Sequence, residues 1–194
     1  MYVVTFSDCA HFAVMQSRIH TSWAWLLSST MKQDLNSSGL DAFATFPFPS
    51  ADPRVLGASL EDIGQRLYDA RAAYMIDTQQ GLTQTYNHLK NPDCHDQPIE
   101  ALRRMHEEMD RAVLAAYGWS DIPVPPFVTP EAAAEKKALE AFEDEVIDRL
   151  FLLNAKRAEE ERILGSAASA PSKKVTRKAP GKKKPAPPTL PGCG

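Results

Sequence analysis

The sequence predicts a mainly α protein: a helical bundle with a short N-terminal β remnant and a disordered basic C-terminal tail. Three observations lead there. Apolar residues recur at three- and four-residue spacing through most of the chain, which is the period of one helical face. Gly and Pro fall at the edges of those periodic runs rather than inside them. The last stretch, residues 166–194, carries Lys, Arg and Pro with almost no apolar side chains. Hydrophobic residues make up 43% of the 194, enough for a core in one domain.

Taken in order, residues 1–6 (Met-Tyr-Val-Val-Thr-Phe) read as a strand or its remnant. Ser7 or Asp8 then N-caps one helix from about residue 9 to 29. Its apolar face is Phe12, Met15, Ile19, Trp23 and Leu26. Asn36-Ser-Ser-Gly39 is a turn. Leu40 to Pro49 is extended, because Pro47 and Pro49 push Phe46 and Phe48 away from the α region.

Ser59 is expected to start the next helix, with Asp62 completing a capping box. Leu60, Ile63, Leu67 and Tyr74 form its buried side, and Gly81 stops it. A short helix spans Thr83 to Leu89, followed by the loop Asn91-Pro-Asp-Cys-His-Asp-Gln-Pro98. Pro98 opens a third long helix to Tyr117. Ile99, Leu102, His106, Met109, Val113 and Tyr117 line one face, and Gly118 closes it. After a Pro-rich connection, Thr129-Pro130 caps a last helix to about Leu164. There Leu139, Phe142, Val146, Leu150 and Leu153 keep an a/d rhythm for two heptads.

Charge is divided unevenly. Residues 1–165 hold 15 Lys/Arg against 25 Asp/Glu, whereas residues 166–194 hold seven basic residues and no acidic ones. An acidic body does not grip a DNA backbone over a broad face, since phosphate contacts need clustered Lys/Arg. The tail supplies such a cluster in Lys173, Lys174, Arg177, Lys178, Lys182, Lys183 and Lys184. It reads either as a solvated disordered tail or as a salt-sensitive nucleic-acid arm. Cys9, Cys94 and Cys193 are dispersed and odd in number, which fits a reducing cytoplasm. No run approaches a membrane span, and the N-terminus lacks the pattern of a signal peptide.

Catalytic signatures are missing. No Gly-x-Gly turn is present to hold a methyl donor, and no Asn/Asp-Pro-Pro-aromatic loop to hold a flipped adenine. Asn91-Pro92-Asp93-Cys94 lacks the second Pro and the aromatic, and reads as a plain turn. The carboxylates Glu140, Glu143, Asp144, Glu145 and Asp148 fall on a helix and read as a solvated face with partners such as Arg149. Cys94 and His95 are adjacent, which suits one tetrahedral zinc poorly, so no metal is expected. Trp23, Trp25 and Trp119 read as core or interface anchors rather than base-stacking platforms. Phe46 and Phe48 read as apolar pegs that pin the extended segment to the bundle. Arg18 lies one position off the apolar stripe and either contacts a phosphate or pairs with Asp8 or another carboxylate. Lys32 is a second candidate for a phosphate. Arg103, Arg104 and Arg111 read as solvated or paired with Glu107 and Glu108.

An ordered set of segments carries a family resemblance. They are Gln16-Ser-Arg-Ile-His20 with Trp23; Phe43-x-Thr-Phe-Pro-Phe-Pro49; Gly81-Leu-Thr-Gln-Thr-Tyr-Asn87; and Leu102-Arg-x-Met-His-x-x-Met-Asp-Arg-Ala-Val-Leu-x-Ala-Tyr-Gly-Trp119 with Asp121-Ile122. Leu150-x-Leu-Leu-Asn-Ala-x-Arg-Ala158 closes the series. Together they resemble the C-terminal part of large type IIG/IIL-like restriction-modification adenine-specific DNA methyltransferases. Residues 31–42 match only loosely. The resemblance implies that residues 1–50 end the DNA target-recognition region, that 51–165 form a helical C-terminal domain, and that 166–194 are a tail. It implies double-stranded DNA as the partner, alongside the rest of the methyltransferase. S-adenosylmethionine is then the cofactor of the parent enzyme, and this chain, a C-terminal fragment beginning within a domain, holds neither cofactor nor catalytic residue. Arg18, Lys32 and the seven basic tail residues are the candidate DNA-backbone contacts. The alternative is a free-standing helical protein-interaction module with a basic nucleic-acid-binding tail.

Overall fold

The computed structural model describes residues 8–30, 43, 45–50, 52 and 54–168, excluding the side chains of 28–30 and 165–168. The expected strand over 1–6, the turn at Asn36–Gly39, Lys32 and the basic tail lie outside the described residues. Among the described residues the protein is mainly helical, with no strand. In chain order the helices are α1 (Cys9–Gln16), α2 (Arg18–Thr30), α3 (Ala58–Thr78), α4 (Leu82–Lys90), α5 (Gln97–Tyr117) and α6 (Ala133–Ala168). None is long and apolar enough to cross a membrane.

The first expected helix is two helices. Asp8 caps α1 by accepting from the His11 N–H at 2.9 Å. At Ser17 the backbone turns extended, with φ −69° and ψ 155°. The Ser17 hydroxyl donates to Val14 O at 2.6 Å and accepts from His20 N at 3.4 Å, so one side chain ends α1 and caps α2. The break rotates the buried face. Val14 is fully buried beside Ile19 and Trp23, and Ala13 beside Ile63 and Leu67, while Phe12 and Met15 are only partly covered.

Gly57, not Ser59, is the N-cap of α3, and no side-chain cap forms there. The N-terminal end of α3 serves α1 instead: the Glu61 carboxylate accepts from Ala10 N at 2.7 Å. Gly64 lets the two helices meet, since a Cβ there would lie 2.0 Å from Cys9 O. Gly81 does not stop α3 either. The helix ends at Gln79, which adopts the left-handed region at φ 53° while Gln80 N donates to Met75 O at 3.2 Å. Gly81 is the N-cap of α4. At the far end Thr129-Pro130 does not cap α6; the Glu135 carboxylate reaches back to the N–H groups of Glu131 and Ala132 at 3.0 and 3.2 Å. Helix α5 follows expectation, with Pro98 in its first turn and Gly118 in the left-handed region at φ 79°.

The core has two lobes, and α5 runs through both. Val113 and Leu114 join Ile19, Trp23, Phe46, Phe48, Phe142, Val146 and Leu150 in one lobe. Ile99, Leu102 and Met109 join Ile63, Leu67, Leu89 and Phe127 in the other. Phe46 and Phe48 are buried pegs, as their position between prolines implies. Beyond Leu150, α6 is mostly exposed, including Phe151, Leu152, Ile163 and Leu164.

Candidate functional site

The polar centre of the molecule forms where α2 starts. The Arg18 backbone N–H and its Nε both donate to Asp110 on α5, at 2.9 and 2.6 Å. The remaining guanidinium nitrogens donate to the carbonyls of Pro125 and Pro126 at 2.7 and 3.2 Å. The rings of Phe127 and Phe142 lie 5.4 and 5.2 Å from the guanidinium carbon. Arg18 is 8% exposed and Asp110 is fully buried. A carboxylate at the start of a helix satisfies an orphan N–H and meets the positive end of the helix dipole. Burial raises the Asp110 carboxyl above its ordinary value, and the Arg18 charge and hydrogen bonds pull it the other way. Of the two roles open to Arg18 in the sequence, the structure shows a carboxylate partner, and that partner is Asp110.

His106 sits one turn before Asp110. Its ring is buried and stacks flat on Phe127, with centroids 4.1 Å apart and an interplanar angle of 6°. Its Nε2 lies 3.4 Å from the Tyr86 hydroxyl, and its buried Nδ1 has no hydrogen-bond partner among the described residues. Burial and the nearby Lys90, Arg71 and Arg18 charges push its pKa down to about 3. His106 is therefore a neutral core ring. Tyr86 continues the network to Arg71 and Gln16 at 3.2 and 3.4 Å.

Beside this centre is an open cleft of about 350 Å³ between α2 and α6. Arg18, Trp25, Lys90 and Glu143 line it together with Leu139 and Ile147. The Lys90 ammonium lies 3.9 Å from the Phe127 ring centre. Burial, reinforced by Arg18, lowers its pKa, while burial raises that of Glu143. The hydroxyls of Thr21 and Ser22 donate to the helix carbonyls of Ser17 and Arg18 at 3.0 and 2.9 Å. Its lining sets the Lys90 ammonium and the Glu143 carboxylate beside the apolar side chains of Leu139 and Ile147.

The extended segment is anchored by two more polar side chains. Tyr117 donates its hydroxyl to Pro47 O at 2.8 Å. Arg157 on α6 donates to Phe48 O and Pro49 O at 2.6 and 3.4 Å. The other arginines differ in part from expectation. Arg111 pairs with Glu107 at 3.2 Å, but Glu108 pairs with Arg66 of α3 at 2.8 Å. Arg149 takes Glu145 and Asp121, not Asp144 and Asp148. Arg103 pairs with no carboxylate among the described residues and binds four backbone carbonyls, two in the last turn of α4 and two in the α4–α5 loop. Trp23 is core, Trp119 stacks on Tyr117 with centroids 4.4 Å apart, and Trp25 is 71% exposed. Sequence reasoning missed Asp110 and Lys90: a single acid on an apolar face and a helix-end lysine carry no spacing signal. Lys32, Lys173, Lys174, Arg177, Lys178, Lys182, Lys183 and Lys184 lie outside the described residues.

Comparison with protein families, curated proteins and solved structures returns no match for the chain.

Proposed function

We propose that this chain is the C-terminal region of a site-specific adenine DNA methyltransferase or restriction-modification enzyme, and that it braces the DNA target-recognition region. One observation supports the reading most: the segments that resemble this family interlock with one another. Gln16 and Arg18 of the first meet Tyr86 of the third and Asp110 of the fourth. Pro47 and Phe48 of the second meet Tyr117 of the fourth and Arg157 of the last. Residues that recur together as motifs because they hold one scaffold are expected to touch in this way. In this reading the enzyme works in the cytoplasm on double-stranded DNA, and S-adenosylmethionine and the catalytic loop belong to its other domains. Arg18 acts from the interior, fixing the angle at which α2 leaves the recognition region. Direct backbone contact falls to Lys32 and the basic tail.

A second reading, a free-standing helical interaction module, draws on the exposed apolar side chains of α2 and α6, with Trp25 at 71% and Leu152 at 72% exposure. Sequencing the genomic DNA that precedes the Met1 codon separates the two. A methylase reading frame with an Asn-Pro-Pro-Tyr-type motif, in frame or immediately adjacent, is the expected result. Its absence there would overturn the methyltransferase assignment in favour of the module.

A further inference from the structure

We propose that the α4–α5 loop holds a zinc site made by His88 Nδ1, Cys94 Sγ and Asp96 Oδ2, with a fourth position left to water. In the sequence Cys94 has only His95 beside it, and neighbouring residues cannot easily share one tetrahedral ion. Folding supplies a different histidine. His88 lies on the last turn of α4, and its Nδ1 is 3.8 Å from Cys94 Sγ. Asp96 Oδ2 lies 3.8 Å from the same sulfur. All three ligand atoms fall within 4.8 Å of one another. Zinc bond lengths at tetrahedral angles place a sulfur and a nitrogen or oxygen ligand about 3.6 Å apart. Both sulfur edges are thus close to that spacing before any side chain moves.

Two further features point the same way. Asp96 is the N-cap residue of α5, yet its side chain makes no capping hydrogen bond. An N-cap aspartate ordinarily accepts from the first turn of its helix; this one turns to the thiol instead. The backbone that carries the ligands is also held from behind. Arg103 donates to the carbonyls of His88, Leu89, Asn91 and Cys94 at 3.1, 2.9, 2.5 and 2.8 Å. One guanidinium thereby fixes the residues bearing two of the three ligands and leaves their side chains facing each other. A mixed nitrogen, sulfur and oxygen set suits zinc over the oxygen-seeking magnesium and calcium. On binding, the Cys94 thiol gives its proton to solvent and the thiolate coordinates the ion; no oxidation or reduction takes place. His95 stays outside, 3.6 Å from Glu100 and largely exposed. The ion would tie the end of α4 to the start of α5.

The test uses the full chain, stripped with a chelator and titrated with Co²⁺ and then Zn²⁺. The expected result is one ion per chain, a thiolate-to-cobalt charge-transfer band, tetrahedral d–d bands, and displacement of cobalt by zinc. Cys94→Ser and His88→Gln abolish the band, and Asp96→Asn weakens zinc at least tenfold, each with an unchanged circular dichroism spectrum. The Cys9→Ser/Cys193→Ser double variant keeps the band. Zinc raises the Tm of the parent chain and leaves that of Cys94→Ser unmoved. Absence of a thiolate band, or a band that survives Cys94→Ser, overturns the proposal. Should Cys94→Ser unfold the chain, alkylation of Cys94 in the folded protein replaces it: zinc is expected to protect this thiol, and equal alkylation rates with and without zinc overturn the site.

Discussion

At the scale of single residues, Arg18 and Asp110 dominate. The pair is buried, and among the described residues the hydrogen bonds that the Asp110 carboxylate accepts come from Arg18. Removing one partner of a buried pair strands the other charge, at a cost of about 3–5 kcal/mol. Arg18→Met is therefore expected to lower unfolding free energy by that order in urea titration. Adding Asp110→Asn in the same molecule should restore a large part of the loss. The amide carries no charge, and its oxygen still accepts the backbone N–H of position 18. A double variant no more stable than Arg18→Met would show that the stranded charge is not the source of the loss. Nothing in the local sequence announces this pair, because its members are 92 positions apart.

At the scale of elements, the decisive contact is α1 against α3. Gly64 is the point of closest approach, with Cys9 O 2.0 Å from where a Cβ would stand. The obstacle is backbone, so no side-chain rotation relieves it. Gly64→Ala gains a little in helix propensity but forces α1 off α3, and overpacking of this kind costs about 1–3 kcal/mol. Thermal unfolding is the measurement, and a Tm equal to or above that of the parent would contradict the packing. The contact also carries a hydrogen bond between the two helices, from the Ala10 N–H to the Glu61 carboxylate, while α3 begins at Gly57, whose lack of a side chain leaves no side-chain cap.

At the scale of the whole molecule, acid sensitivity follows from His106. Its folded pKa of about 3 lies below the ordinary 6.5, so the unfolded chain binds a proton that the folded chain refuses. Stability then rises with pH through this window and falls as the medium is acidified from about pH 6.5 toward 3. The loss between pH 8 and pH 5 is on the order of 2 kcal/mol from this residue alone. His106→Phe keeps a flat ring against Phe127 and removes the titration. Denaturant curves across that range should fall less steeply for the variant; parallel slopes would mean that His106 does not set the acid response.

The sequence by itself determined the helical class, the buried stripes of α3 and α5, and the two ends of α5. Each of these depends on period and on local backbone preference, and both are written in neighbouring residues. Proline fixes its own φ and glycine tolerates a positive one, so the bounds of α5 at Pro98 and Gly118 needed no tertiary knowledge. The tertiary structure decided the rest. It broke the first helix at Ser17, where no Pro or Gly stands, because Asp110 gives the freed N–H of Arg18 a better partner than the helix could. It ended α3 at Thr78 with Gln79 in the left-handed region, where the sequence ran the helix to about Gln80 and stopped it with Gly81. It chose a carboxylate partner for Arg18, which the sequence left open between a phosphate and a carboxylate, and made Arg103 a clamp on backbone carbonyls where the sequence offered solvent or Glu107 and Glu108. It also set His88 beside Cys94 and Asp96. Charges and ligands act through space over a few ångströms, and only folding brings such partners within reach.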